Sequence, residues 1–589
     1  MRMRAANGGV TLNAISGTNV VFLGFDVAEE ARKGLLGFAI HRTDNTEVEQ
    51  YWLQSFRTFE DTLPNPPPGS LVSTNEHPVQ AFSWGDYTAK PDHEYEYRLV
   101  PKYGTPSNLV DGPTVEVKIR TAKEDLGEHA IYFNRGVAGS QAYARKFGNV
   151  APDDITDPKK RAQAFAWLSR GLEEAMLGFI AQADSADFAL RATVYEFSYV
   201  PALKALGKAA KQADVKIIYD RRKSGPFVES EKAIAEAGIA PLMIPRKVGS
   251  AISHNKFIVL LYKGKPIQVW TGSTNFTAAG IFGQSNVGHI IRNEEIAQAY
   301  LDYWTRLSTD PAIKDLAQSN SALVPNPTGS PPSNSISAIF SPRADLGVLK
   351  WYGERMGSAT QSLGFTAAFG ISSEFAPTLL QAKPFLRFIM AETEGTKARA
   401  KPTPANPNPR SQADVFLDIS KVPNNRTAVG SILSGAAGDA VGAELHAWLA
   451  EKLTGLNTHV QYLHTKYMFV DAMTDNPTVI SGSANFSGAS TISNDENMVI
   501  VQGNTDVADI FLGEFMRLFN HFYFRQTVKK QKPKANGTIS DASFYLAPDD
   551  RWTARYFDPT SPKFLERRLF AQAGNARASV PTDHLRAAR

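Results

Sequence analysis

HNKFIVL at 254–260 and HTKYMFV at 464–470 share one pattern, His-x-Lys followed by an apolar run, in a chain with only 11 histidines. Each is followed, 18 residues after its histidine, by a second matching pair, GSTNFT from Gly272 and GSANFS from Gly482. The offset between copies is 210 residues for His, Lys, Gly, Ser and Asn alike. Five special residues at one offset mark a duplicated unit. The echo continues in IAQAYLDYWTRL and VADIFLGEFMRLF, now offset by 211, so one residue has been inserted.

Around these motifs, from about residue 124, strand patterns alternate with helical ones, as in α/β layers. FALRATVYEF reads as a strand, VPALKALGKAAKQA as an amphipathic helix and VKIIYD as the next strand. SLGFTAAFGI and PFLRFIMAE repeat the texture in the second half, and the Pro/Ser/Asn-rich stretch 319–335 suits the connection between halves. EGTKARAKPTPANPNPRSQ is an extra polar loop of the second half. Residues 10 to about 122 differ: short alternating stretches are separated by Pro/Gly/Asn/Asp clusters, the signature of an all-β sandwich.

On a strand, residues i and i+2 share a face. That arithmetic groups His254 with Lys256, His464 with Lys466, Ser273 with Asn275, and Ser483 with Asn485. Two halves facing each other across a pseudo-two-fold axis would pool these side chains. The inventory suits a tetrahedral phosphate: lysines for the non-bridging oxygens, Ser and Asn as donors, one imidazole to attack and one to move protons.

The spacing His-x-Lys-x4-Asp, then Gly-Ser-x-Asn, resembles the phospholipase D superfamily. The second copy matches fully, through His464, Lys466, Asp471, Gly482, Ser483, Asn485 and Glu496. The resemblance implies an α/β fold, a two-lobed pseudo-symmetric phospholipase D-type α-β-α sandwich, here preceded by a small all-β sandwich domain. YTAKPDHEYEYRLVPKYG resembles the late hairpin of a fibronectin type III or immunoglobulin-like module, with Tyr95 or Tyr97 at its tyrosine corner. The expected division is 1–123 for that module, 124–330 and 331–540 for the lobes, and 541–589 for an extension packing on the lobes.

The first copy departs in two places: Leu261 stands at the Asp position and Asn286 where the second copy has Glu496. By strand parity Leu261 faces away from the site, so Asp471 reads as a structural partner. The resemblance implies that the residue at Glu496 orients the histidine of its own half. A carboxylate favours the protonated ring and an amide does not. Hence His254, expected beside Asn286, is the nucleophile, and His464, expected beside Glu496, is the acid/base, in agreement with the family's use of its N-terminal histidine. The expected catalytic set is His254, Lys256, Asn275, His464, Lys466, Asn485 and Glu496. Ser273, Ser483 and Asn286 are expected to bind substrate.

No cofactor or metal is called for, since two lysines make a cation unwelcome. His289, His446 and His459 lack metal-ligand spacing. With no cysteine there is no thiol or disulfide chemistry. The reaction class implied is a phosphodiesterase working through a phosphohistidine, with a phospholipase D (head-group hydrolysis or transphosphatidylation) placed ahead of a metal-independent nuclease. The expected partner is therefore phospholipid, met in transient contact with a membrane surface, or nucleic acid. Both Gly-Ser-x-Asn motifs run on into Thr277 and Ser487, as in phospholipase-type members. Net charge is only +4 over 589 residues, modest for affinity built on many phosphates. KKQKPK at 529–534 and RWTARYF at 551–557 are the stretches that nucleic acid or lipid could use, although such patterns more often make a solvated loop or pack on their own domain. No signal peptide or apolar run of spanning length is read, which points to a cytoplasmic protein, leaderless export aside.

Overall fold

The computed structural model describes residues 1–64, 66, 70–136, 141–221, 225–248, 252–398, 410–430, 462–529, 545–571 and 577–578. Most of the polar loop after Glu394, most of KKQKPK, His446 and His459 lie outside them.

The alternating N-terminal stretches form two antiparallel sheets. One runs Arg2–Asn7, Val10–Ser16, Val21–Val27 and Ser83–Asp86, with Arg577–Ala578 added in parallel at its edge. The other places Asn108–Asp111, Glu94–Thr105, Gly37–Asp44 and Glu49–Trp52 side by side, with Val115–Arg120 also on Glu94–Thr105. In VEVKIR the alternation is strict: Val115, Val117 and Ile119 are buried and the residues between them exposed. Their partners across the sandwich include Leu12, Leu23 and Phe25. Of the two corner candidates, Tyr95 fits: its hydroxyl accepts the Lys90 backbone N–H, five residues upstream, at 2.9 Å. Tyr97 instead donates to Asp86 at 2.8 Å.

Each lobe is built on a seven-stranded sheet. The first has the order His129–Phe133, Val287–Ile291, Lys265–Gly272, Lys256–Tyr262, Phe188–Val194, Asp214–Asp220, Met243–Arg246. The second repeats it as Ser335–Ser341, Glu496–Gln502, Thr478–Gly482, Tyr467–Val470, Ser362–Ala367, Leu386–Ala391, Asn425–Val429. In both, three strands run parallel at one end and the rest pair antiparallel. The central strands are mainly apolar because both faces are covered.

The faces confirm the parity argument. Phe257, Val259 and Leu261 enter a core shared with Tyr467, Phe469 and Val499 of the other lobe, and with the helices Glu294–Ser308 and Thr505–Lys529. Ile258 and Leu260 point the opposite way, onto Phe179 and Leu203 of their own lobe. Leu261 therefore does face away from the site, into the shared core. Asp471 is structural: its carboxylate accepts from the backbone of Thr360, Gln361 and Ser362 and from the Thr360 hydroxyl, fixing the start of Ser362–Ala367.

Both ends of the chain lock the β module to the second lobe. The buried Arg2 guanidinium donates to the carbonyls of Ala472 and Met473 and pairs with Asp509. The C-terminal extension was expected on the lobes, yet its RWTARYF run sends Trp552 and Tyr556 into the sandwich core. Those rings are unavailable for stacking on a ligand. Further on, Phe570 packs between Phe22 of the module and Phe388 of the second lobe. A Cβ at Gly24 would collide with the Phe570 backbone, so the helix Pro562–Ala571 can approach only over glycine.

Candidate active site

Both histidines sit just ahead of a central strand, His254 before Lys256–Tyr262 and His464 before Tyr467–Val470. What these lead-in segments pair with decides the site. Ser253 bridges in parallel to Asp495, and Leu463 to Ser285, so each histidine's segment lies against the other lobe. His254 N–H donates to Asp495 at 2.9 Å and Asp495 N–H to Ile252 at 2.9 Å. His464 N–H donates to Ser285 at 3.2 Å, and Ser285 N–H to Tyr462 at 2.8 Å. A buried Arg246–Asp495 ion pair of 3.0 Å braces the crossing.

Asp495 and Ser285 are the residues before Glu496 and Asn286. The pairing is therefore crossed: His254 Nδ1 lies 2.9 Å from Glu496 Oε2, and His464 Nδ1 lies 2.9 Å from Asn286 Oδ1. The expectation that each histidine pairs within its own half is wrong, because the strand lead-ins exchange across the pseudo-two-fold axis. The Asn286 amide is fixed in its orientation, since Nδ2 donates to Gly280 and Oδ1 accepts from Ser273 Oγ at 2.8 Å. His464 must then carry its proton on Nδ1. Ser483 Oγ makes the equivalent bond to Glu496, at 2.7 Å.

These bonds relocate three expected substrate contacts. Ser273 and Ser483 donate to the histidine acceptors and in turn accept the N–H groups of Val287 and Asn497, so neither points its hydroxyl at a substrate. Asn286 is equally engaged. The alternation used to place the serines fails because the strands end at Gly272 and Gly482. Gly272 adopts φ +132°, and a Cβ there would strike the Val287 carbonyl.

Lys256 and Lys466 are buried and donate to the carbonyls of His254 and His464, at 2.6 and 2.5 Å. Burial, opposed by Glu496 and Glu196, holds Lys256 down at about 8. Burial and the neighbouring Lys256 push Lys466 well below its ordinary value. Burial, then Lys466, Lys256 and His254, also keeps His464 well below the usual imidazole range. Glu496 is raised to about 7 by burial, against the pull of Lys256. Burial thus disfavours charge of both signs here, and an anion between the lysines would reverse the trend for His464.

Several residues escaped the sequence reading. Asp220 and Glu392 accept the N–H groups of Ser253 and Leu463, each just before a histidine. Tyr195 packs edge-on against His254 with centroids 5.0 Å apart, and Glu196 accepts from Asn275 Nδ2 at 2.5 Å. Asn275 Oδ1 and Asn485 Oδ1 are buried and accept no hydrogen bond from described residues. Away from the site, His289 bonds the buried His129 at 2.9 Å, as a structural histidine does.

The molecule is thus a pseudo-symmetric two-lobed α/β protein with one composite His/Lys/Asn site. The family model described as "Cardiolipin synthase, PLD-like domain" matches residues 179–308 and 422–519, so the two lobes carry a PLD-like domain in two segments. No curated protein matches the chain. Among solved structures it is similar to polyphosphate kinase from Porphyromonas gingivalis (12% identity, TM-score 0.33, 56% of this chain and 46% of that one). It is similar also to phosphatidylserine synthase of Haemophilus influenzae Rd KW20 (10%, TM-score 0.40, 68% and 93%). A third is Nuc, a phospholipase D family member from Salmonella typhimurium (21%, TM-score 0.21, 32% and 94%). No helix among the described residues is long and apolar enough to cross a membrane.

Proposed function

We propose that the protein is a phosphodiesterase acting through a phosphohistidine on His254, and that it cleaves or exchanges phospholipid head groups. The observation that carries the reading is the crossed pairing of two histidines, one backed by a carboxylate and one by an amide, beside two buried lysines.

Each Nδ1 is held by its acceptor, and the chemistry is assigned to Nε2 of each ring. Nε2 of His254 attacks phosphorus and the P–O bond to the leaving alcohol breaks. The departing oxygen takes its electron pair and the proton of His464. Water or an alcohol then gives a proton back to His464 and displaces His254 from phosphorus. During the first half-reaction positive charge moves from His464 to His254. The criterion of a carboxylate favouring the protonated ring, applied to the crossed pairs, would make His254 the acid. It measures the ground state, however. Glu496 behind the nucleophile stabilises charge where it arrives, and behind the acid would stabilise it where it starts. Only the first arrangement lowers the barrier to the covalent step. His254 thus stays the nucleophile for a reason opposite to the one read from the sequence.

The lipid assignment rests on the Thr277 and Ser487 continuations, two motifs in one chain and the small net charge. Purified protein should release choline and phosphatidic acid from phosphatidylcholine vesicles in EDTA. Intact phospholipid together with nicked plasmid in EDTA would replace the lipase by a nuclease.

A further inference from the structure

The duplication makes corresponding positions of the two lobes comparable, and a further pair around the site is unlike. Val194 pairs with Lys256 in the first sheet. In the second, Phe365 pairs with Met468, and that register carried on sets Ala367 beside Lys466. Two residues beyond these positions stand Glu196 in one lobe and Phe369 in the other. Each lies at the lysines. Glu196 acts electrostatically on both Lys256 and Lys466, and the Phe369 ring centroid is 6.0 Å from Lys466 Nζ. Neither has a part in the chemistry assigned to the histidines.

Both are built as walls rather than as core. Glu196 is half-buried, with Oε2 taking Asn275 Nδ2 while Oε1 takes no hydrogen bond from a described residue. Asn275 Oδ1 is a second acceptor without a donor beside it. Phe369 is 55% exposed, an unusual state for phenylalanine, and it borders a buried ammonium. The acidic residues acting on Lys466 are Glu496, Glu196 and Glu392, against Lys256 as its basic neighbour. Three carboxylates offset the two lysines and the imidazolium, so the site holds no surplus of positive charge for a polyanion. They suit a phosphodiester that brings its own positive charge.

We infer that Glu196 is a specificity-determining residue, selecting phosphodiesters in which one alcohol carries an ammonium group, while Phe369 faces an apolar alcohol on the opposite side. The inference rests on the phosphodiesterase reading and narrows its substrate class to zwitterionic diesters. The carboxylate and Asn275 Oδ1 supply acceptors to the cation, and the two lysines hold the phosphate between the walls.

The test compares two soluble diesters, p-nitrophenyl phosphorylcholine, a zwitterion, and bis(p-nitrophenyl) phosphate, an anion. Loss of diester is followed by phosphorus NMR, which reads cleavage of either ester bond. Wild-type protein should have the higher kcat/KM on the zwitterion. In Glu196→Gln, which keeps an acceptor for Asn275, the zwitterion-to-anion ratio should fall about tenfold or more, the scale of one charge contact. Glu196→Asp should recover part of that ratio, which a misfolded variant would not allow. An equal loss on both substrates, or a wild type that prefers the anion, overturns the assignment and leaves the phosphodiesterase standing. A wild type that cleaves neither removes the phosphodiesterase reading itself.

Discussion

Glu496 and Asn286 occupy matching positions of the duplicated unit, and each serves the histidine of the other lobe. Replacing His254 or His464 by Ala should cost about 10³-fold or more in turnover, because each half-reaction needs both rings. Near wild-type turnover in either would dissolve the shared site. The lysines make a pH prediction with a definite sign. Lys256, held down at about 8 by burial, is cationic below that pH and loses its proton above it. Binding of inorganic phosphate, read by calorimetry, should therefore weaken as pH rises through about 8, and Lys256→Arg should move the fall to higher pH. That the two histidines meet at one site was legible from the spacing of the repeat. Which histidine meets which acceptor was not, because a repeat fixes what each half contains and says nothing of exchange between halves. Glu196 left no signal for a different reason: its counterpart is Phe369, so the repeat hides it.

Among the elements, the strand Lys256–Tyr262 carries the site on one face and the shared core on the other. Its parity was readable from KFIVLLY, and so was the outward turn of Leu261. An Asp missing from a position that faces away costs the site nothing. The burial shows that the reverse substitution would be costly. Leu261→Asp would set a carboxylate among Phe257, Val259 and Phe469, and should destabilise the fold by about 3–5 kcal/mol, measurable by urea unfolding. Asp471→Ala removes the acceptor for the Thr360–Ser362 backbone and should cost about 1–3 kcal/mol in the same assay, with turnover of the folded protein little altered. Alternation failed only past Gly272 and Gly482, where the serines leave the strands, and the glycine in each motif marked that point in advance.

At the scale of the molecule, the β module is held by Arg2 and the C-terminal extension, contacts separated by up to 557 residues in sequence. Such distant pairing has no local pattern, so the module was readable from its alternation and its attachment was not. Arg2→Ala should leave the Ala472 and Met473 carbonyls without their donor and Asp509 with only the Met1 ammonium, and lower stability by about 1–3 kcal/mol. Module and lobes should melt together in wild type and separate by calorimetry in this variant.

His254 is the residue proposed to become phosphorylated. With His464→Asn, the covalent step should still run on a diester with a good leaving group, and the second half-reaction should stall. Mass spectrometry should then find an acid-labile phosphoryl adduct on the peptide that contains His254. An adduct on His464 in the reciprocal His254→Asn protein, with none on His254, would contradict the assignment.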